Sequence, residues 1–438
     1  MTDSTTGRTS AASLLLDVEQ VTGLLHSLLP HDWPALAGDV AIERCWPSAD
    51  DGFIVEWSFS LGSERRYSLY ARSTSEAPTT EEVTSHPHRP TVTEQGLRGV
   101  LSYLPQHRLM VHTPDCDPAM PHLPMCLDED RAAKFLAPFW KPSSNGESPG
   151  VSCRLLGYKP GRRAAICFER KSRNGTGQRI LGKTHHKGQA ERLARLHDQV
   201  NDELRKNTER AVRVSNPVVY EPELQLAMFQ WAPGETAKAQ SSGPAGSIAT
   251  AVRTLAALHS TTIAGLATFT VQDECAVLQR WHRALADAHP RLADASAPLL
   301  AMLLQQSEAI DSSRRCTIHR DFYETQFVTF RGQTTLLDLD TLCAGHPCLD
   351  VGNFLAHLYL QLLRRGGGAE HFKPLLKETT TQYEGIAGRL DTEALGFYLN
   401  TSLCRLGAVH AFRTQTHEFA EPIWQLARER LERSRGFQ

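Results

Sequence analysis

The chain has 438 residues, more than one average domain needs, with 41% hydrophobic and 22% charged side chains, an ordinary globular composition. Its 47 basic and 49 acidic side chains leave a formal charge of −2, which argues against a protein devoted to coating nucleic acid or an anionic membrane. Ten cysteines, the absence of a C-x-x-C pair and the lack of an apolar run of about 18 residues point to a reduced, cytoplasmic protein without a disulfide framework or membrane span.

Residues 1–12 are rich in Ser and Thr and are expected to be disordered. Leu14, Val18, Val21, Leu25 and Leu28 then form one apolar stripe, which predicts a helix. Alternation at Phe53, Val55, Trp57 and Phe59, and again at Tyr67, Leu69 and Ala71, predicts an antiparallel hairpin. A polar linker over 73–91, a mixed segment and a helix over 128–140 complete an N-terminal α+β region, 13–141. After a break at 142–150, strands are predicted at 151–158, 164–169 and 179–184, with turns at Pro160-Gly161 and Asn174-Gly175. Leu193, Leu196, Val200 and Leu204 mark a helix. Strands at 218–220 and 224–230 lead into Ala232-Pro233-Gly234, and 237–247 reads as a flexible connection. Helices follow at 248–259, 276–289, 299–309, 349–363, 395–412 and 422–432. A β-rich half followed by an α-rich half gives an α+β, bilobal architecture with a cleft between 150–232 and 233–438.

The chemistry concentrates in His319-Arg320-Asp321-Phe322-Tyr323-Glu324-Thr325-Gln326 and in Leu336-Leu337-Asp338-Leu339-Asp340. Between them, Phe327 to Phe330 and Thr334 to Leu337 read as a hairpin. If its loop is Arg331-Gly332-Gln333, Gln326 stands opposite Asp338 on one sheet face, with Asp340 two residues on and Asp321 just before. An amide oxygen and one or two carboxylates converging there would suit Mg²⁺; surface turn and cap residues are the alternative. Between Arg154 and Lys187 stand ten basic residues and one acid, Glu169, a local +9 suited to a polyphosphate. Most of these read equally as a solvated face; Lys183, inside a strand, is expected to reach inward. His185-His186 is more readily a surface pair than a metal pair, because adjacent strand residues point to opposite faces. His357, Tyr359, Trp281, Phe397 and Tyr398 could line an acceptor pocket, with plain core packing the stronger reading for the aromatics.

A strand lysine, a helix, a hinge-like Gln230-Trp231-Ala232-Pro233-Gly234, H-R-D-x(4)-Gln and an apolar-Asp motif occur in kinase order. With Leu255-Ala256-Ala257-Leu258-His259 and His346-Pro347-Cys348-Leu349-Asp350-Val351-Gly352-Asn353-Phe354, the chain from about Ser152 onward resembles the aminoglycoside phosphotransferase family of small-molecule kinases, which shares the protein-kinase-like fold. No Walker A sequence is present. The resemblance implies ATP and Mg²⁺ as cofactors. It implies that Asp321 orients the acceptor hydroxyl, with Arg320 beside it, and that His319 and Asp350 brace the loop. Lys183 would hold the α- and β-phosphates and Asp338 the metal, while the Gln230 carbonyl and Ala232 amide would meet adenine. Gln326 stands where the family usually has Asn, as in maltokinase-like sugar kinases, and Asp340 replaces the glycine of the protein-kinase motif, which would add a metal ligand. For the acid partner of Lys183, Glu191 is the first candidate and Glu203 the second. The expected activity is phosphoryl transfer to a hydroxyl of a small polar acceptor, a sugar or amino sugar ahead of an aminoglycoside antibiotic, with neither nucleic acid nor membrane as partner. A nucleotide-binding regulatory module of the same fold is the alternative. The oligomeric state is not legible in the sequence.

Overall fold

The computed structural model describes residues 15–436 except 30–39, 48–51, 63–64, 75–89, 94–95, 141–149, 172–176, 187, 207–210, 237–242 and 312. The expected disordered tail, most of the 73–91 linker, nearly all of the 142–150 break, the Asn174-Gly175 turn and the first part of the 237–247 connection lie outside the described residues.

The N-terminal region opens with helix α1 (Val18–Leu28), capped by the Asp17 carboxylate. Five of its strands form an antiparallel sheet, β1 (Ala41–Pro47), β2 (Phe53–Ser60), β3 (Arg66–Ser73), β7 (Leu109–His112) and β6 (Leu101–Leu104), in that spatial order. The short pair β4 (Thr91–Thr93) and β5 (Gly96–Arg98) stands apart, and helices α2 (Leu123–Cys126) and α3 (Glu129–Leu136) follow. The alternating apolar residues Phe53, Val55, Trp57 and Phe59 are all buried, as a one-sided sheet requires.

The first lobe of the kinase-like region is a five-stranded antiparallel sheet. Its order is β12 (Pro217–Glu221), β13 (Leu226–Gln230), β10 (Arg179–His185), β9 (Arg163–Arg170), β8 (Val151–Lys159). Helix α4 (Gln189–Lys206) packs against β12 and β13, burying Leu193, Leu196, Val200 and Leu204. Strand β11 (Val212–Val214) then runs parallel to β17 (Gln333–Leu336), beside β16 (Phe327–Phe330) and β14 (Glu235–Thr236). The chain therefore crosses between lobes at residues 231–236. Gly234 makes the crossing possible: its φ is 114°, and a Cβ there would sit 2.4 Å from the Thr329 carbonyl oxygen.

The second lobe is helical: α5 (Gly243–Gly246), α6 (Ile248–His259), α7 (Val271–Ala288), α8 (Pro290–Ser307), α9 (Pro347–Arg364), α10 (Ala369–Ala387), α11 (Thr392–Ala411) and α12 (Ala420–Gly436). Strands β15 (Cys316–Ile318) and β18 (Cys343–Gly345) pair beneath the loop that follows β15. Helices α9 and α11 cross closely at Gly352, where a Cβ would meet the Leu399 amide at 2.7 Å. Phe397 and Tyr398 are buried in this core.

The N-terminal region docks on both lobes. Ile42 and Thr414 exchange hydrogen bonds of 2.9 and 3.1 Å, and the Phe53 and Phe412 rings lie 6.1 Å apart. On the other side, the Tyr70 and Tyr158 rings meet edge-on at 4.7 Å. Buried apolar side chains continue from the N-terminal sheet into the helical lobe.

Candidate active site

Asp321 lies in the loop between β15 and β16, immediately after Arg320, whose backbone is left-handed at φ 70°. A non-glycine residue holds such a conformation only where its surroundings compensate. Here the fully buried Asp350, on the first turn of α9, accepts from the backbone amides of His319 at 2.7 Å and Arg320 at 2.6 Å. Asp350 is itself held by His259 Nε2 at 3.1 Å, and His259 Nδ1 meets the Tyr383 hydroxyl at 2.7 Å. His319 points away from the cleft and donates through Nε2 to the Leu337 carbonyl at 2.8 Å, while Thr341 Oγ1 donates to the His319 carbonyl. The Arg320 guanidinium stacks over the Phe269 ring at 4.1 Å, so it braces the loop rather than reaching forward. Asn353 Nδ2 ties down the Phe322 carbonyl at 2.9 Å.

The β16–β17 hairpin corrects the expected register. Phe330 pairs with Gln333, so the loop is the two residues Arg331 and Gly332, both left-handed with φ 50° and 79°. That is the turn favoured by the right-handed twist of the strands. Gln326 therefore stands opposite Leu337, whose amide donates to its carbonyl at 2.7 Å. Asp338 instead leaves the ladder through its own left-handed backbone, φ 52°, and begins the short 3₁₀ turn Leu339–Thr341.

Asp338 and Asp340 meet the basic strands across the cleft. Lys183 Nζ donates to Asp338 Oδ1 at 2.6 Å and to Asp340 Oδ1 at 2.8 Å. Arg163 contacts Asp338 Oδ1 at 3.3 Å and also pairs with Asp340 Oδ2. His185 Nε2 lies 3.8 Å from Asp340 Oδ2. Burial opposes the charge on Asp338, but Lys183 and Arg163 outweigh it and hold its carboxyl well below the usual carboxylate range. Burial, with Arg163, pulls the Lys183 pKa down against the attraction of Asp338. Burial, then Lys183 and Arg163, push the His185 pKa to about 3, so this histidine is neutral.

Three expectations change on this geometry. Glu191 is exposed on the first turn of α4 and pairs with Arg195 one turn on, not with Lys183; Glu203 likewise pairs with Lys206. The buried face of α4 carries His197 instead, its ring 4.2 Å from that of Phe229 at a tilt of 37°, and bonded through Nδ1 to the Ser215 carbonyl. Asp340, expected as a metal ligand, has both oxygens engaged by Lys183 and Arg163 with only 6% of its side chain exposed. It occupies the place of the missing acid partner. His185 is buried rather than on the surface; the alternation of faces holds, since His186 is exposed.

As a test of fit for a divalent metal, Asp338 is 30% exposed and uses only Oδ1 toward the cations among the described residues. Gln326 stands one strand away. These are hard oxygen donors of the kind Mg²⁺ prefers. Among the described residues no group of three or more His, Cys, Asp or Glu side chains forms a metal cage.

The turn expected to cover phosphates, Lys159-Pro160-Gly161-Arg162-Arg163, is pinned from the N-terminal region. Buried Asp117 accepts from the Gly161 amide at 2.6 Å and from the Tyr158 hydroxyl at 2.5 Å. Burial, then Arg162 and Arg163, lower the Lys159 pKa to about 8, with Asp321 acting in the opposite sense. Gln230 ends β13, its amide bonded to the Asn216 carbonyl at 2.9 Å, and Ala232 follows on the crossing segment. Asp117 and the α9–α11 contacts lay beyond sequence reasoning, because long-range packing alone brings them to the site. His259 could be found only through the pattern Leu255 to His259.

Residues 168–377 match the family described as "Phosphotransferase enzyme family". No curated protein matches the chain. Among solved structures, a Ralstonia eutropha JMP134 protein assigned as an aminoglycoside phosphotransferase is 16% identical, covers 69% of this chain and 96% of its own, and gives a TM-score of 0.48. A choline kinase from Streptococcus pneumoniae is 14% identical over 69% of this chain and 98% of its own, with a TM-score of 0.44. An amicoumacin kinase solved in complex with AMP-PNP, Ca²⁺ and Ami is 13% identical over 72% of this chain and 96% of its own, with a TM-score of 0.47.

Proposed function

We propose that the chain, whose residues 168–377 match the phosphotransferase enzyme family, transfers the γ-phosphate of ATP to a hydroxyl of a small polar molecule. The observation that carries this reading is the bridge across the cleft: Lys183 and Arg163 on the first lobe meet Asp338 and Asp340 on the second, beside the braced Asp321 loop.

In this reading Lys183 and Arg163 receive the nucleotide phosphates, and the pinned turn at Gly161 lies over them. The Gln230 carbonyl and Ala232 amide lie on the segment that would meet adenine. Asp338, with the Gln326 amide oxygen, would hold Mg²⁺, which when bound screens the phosphate charge that grows during transfer. Asp340 fixes Lys183 and Arg163, the role first assigned to Glu191. Asp321 accepts a hydrogen bond from the acceptor hydroxyl, orients it in line with the phosphorus and takes its proton as the new P–O bond forms and the bond from the γ-phosphorus to the bridging oxygen breaks to release ADP. With a loose transition state, positioning contributes more than base strength. That explains why so much hydrogen bonding is spent on fixing the loop. A sugar or amino sugar remains the preferred acceptor class over an aminoglycoside antibiotic.

An ADP-release screen over hydroxylated small molecules, with ATP and Mg²⁺, tests the reading. Turnover that disappears in Asp321→Asn supports it. ATP binding without turnover on any acceptor would favour the regulatory-module alternative.

A further inference from the structure

Helix α9 is buried almost throughout, yet it carries one polar stripe. Asn353, His357, Gln361 and Arg364 are spaced by four, four and three residues, which places them within about 80° of one another around the helix. The stripe begins beside the catalytic loop. Asn353 holds the Phe322 carbonyl, and the Tyr323 ring, two residues past Asp321, stacks on His357 at 4.3 Å with an interplanar angle of 16°.

Arginines from and just beyond α11 gather at the same place. Arg405 Nη2 donates to Asn353 Oδ1 at 2.7 Å, while its Nε is buried without a partner among the described residues. Among the described residues, the buried Arg413 Nε, just past the end of α11, and the buried Gln361 Nε2 on the stripe also have no partner. Neither Arg405, Arg413 nor Arg364 forms an ion pair with any carboxylate among the described residues. Burial, followed by Arg405, His410, Arg364 and Arg413, depresses the His357 pKa to about 3. Burial, then Arg44 and Arg364, lower that of Arg413, with Tyr323 and Glu43 acting in the opposite sense.

Arg405 and Arg413 are half-buried and Arg364 is exposed, so their guanidinium groups keep access to solvent, and like charges gathered at one place favour an anion between them. Arg405 is joined to the catalytic loop by the Asn353 bridge, so the charge that would compensate it belongs beside the acceptor hydroxyl. We propose that Arg405 and Arg413, with the α9 stripe, form the acceptor subsite, and that the acceptor is a hydroxylated small molecule bearing an anionic group, a carboxylate or a phosphate. This rests on the phosphotransferase reading and deepens it: a polycationic acceptor is repelled, and a sugar acid or sugar phosphate fits better than a neutral or amino sugar.

The test uses the full chain with saturating ADP and Mg²⁺, so that the nucleotide site is filled. Thermal unfolding is measured in chloride, malonate and inorganic phosphate at matched ionic strength for the wild type, Arg405→Gln and Arg413→Gln. Malonate or phosphate raises the wild-type midpoint by roughly two degrees or more over chloride, and the variants lose most of that increment. Both variants fold, and Arg413→Gln is at least as stable as the wild type in chloride, because it removes an uncompensated charge. Equal responses of wild type and variants overturn the inference. ADP release is then measured with D-gluconate, glucose 6-phosphate, glucose and glucosamine, whose first two members separate carboxylate from phosphate. Turnover of an anionic member, with Arg413→Gln raising KM about tenfold and leaving kcat within about threefold, supports the subsite. Turnover confined to neutral or cationic members overturns it and leaves the phosphotransferase reading standing. Turnover of none of them counts against that reading alone, since the unfolding experiment still decides the anion subsite.

Discussion

Replacing Asp340 by Asn keeps its shape and removes one of the two carboxylates facing Lys183 and Arg163. The side chains of Lys183 and Asp340 are 9% and 6% exposed, so the pair is not screened as a surface ion pair would be. Breaking a buried pair costs about 3–5 kcal/mol. Asp338 still contacts both cations, which lowers the expected cost to about 2–3 kcal/mol. An unfolding entropy of about 2.1 cal/mol/K per residue amounts to about 0.9 kcal/mol/K for this chain, so the ligand-free midpoint should fall by about 3 °C. With Lys183 less well fixed, the KM for ATP should rise about tenfold, the effect of one weakened charged hydrogen bond. The Mg²⁺ concentration giving half-maximal rate should stay within about twofold, because Asp338 and Gln326 remain in place. Thermal unfolding and initial rates against ATP and Mg²⁺ read all three quantities. Glu191→Gln is the companion variant, and both measurements should leave it indistinguishable from the wild type. If Glu191→Gln raises the KM for ATP while Asp340→Asn does not, the assignment of Asp340 as partner of Lys183 is wrong.

Asp321→Asn should lower kcat by about a hundredfold or more, while ATP affinity by calorimetry stays within about twofold. Gly234→Ala should destabilise the chain by more than about 2 kcal/mol in urea unfolding, because the added Cβ meets the Thr329 carbonyl and φ is 114°. His197 should make the protein acid-sensitive. Burial lowers its folded pKa from 6.5 to about 3, so the unfolded chain takes up the proton first. Stability is then lost as pH falls below 6.5, at about 1.4 kcal/mol per pH unit, or about 2 kcal/mol by pH 5. Urea midpoints followed from about pH 7.5 down to about pH 5 should show a flatter acid limb in His197→Gln.

Where periodicity was strong, the elements were legible in the sequence. Helix α6 begins and ends at the predicted residues, and the strands flanking Pro160-Gly161 differ only at their ends. Helix α10 was missed because Gly366-Gly367-Gly368 precedes it and Pro374 lies inside it, both of which read locally as breaks. In the candidate site, spacing singled out Asp321, Asp338 and Lys183, but side-chain partners depend on backbone details that spacing does not encode. One residue fewer in the Arg331-Gly332 turn moves Gln326 opposite Leu337, and the left-handed Asp338 then determines where both carboxylates point. Glu191 is near the strand lysine in sequence, but on α4 it faces solvent and pairs with Arg195. Arg405 and Arg413 carried no signal, since an arginine within or just past a helix ordinarily reads as a solvated surface residue. Their meaning comes from the packing of α9 against α11.

Direct detection of the transferred group tests the central claim most plainly. The full chain is incubated with ATP, Mg²⁺ and the acceptor that gives the fastest ADP release, and the small-molecule fraction is analysed by mass spectrometry and phosphorus NMR. The account predicts an acceptor heavier by one phosphoryl group, formed in equal amount to ADP and absent with Asp321→Asn. ADP accompanied only by inorganic phosphate, or a phosphorylated acceptor formed equally well by Asp321→Asn, would contradict it.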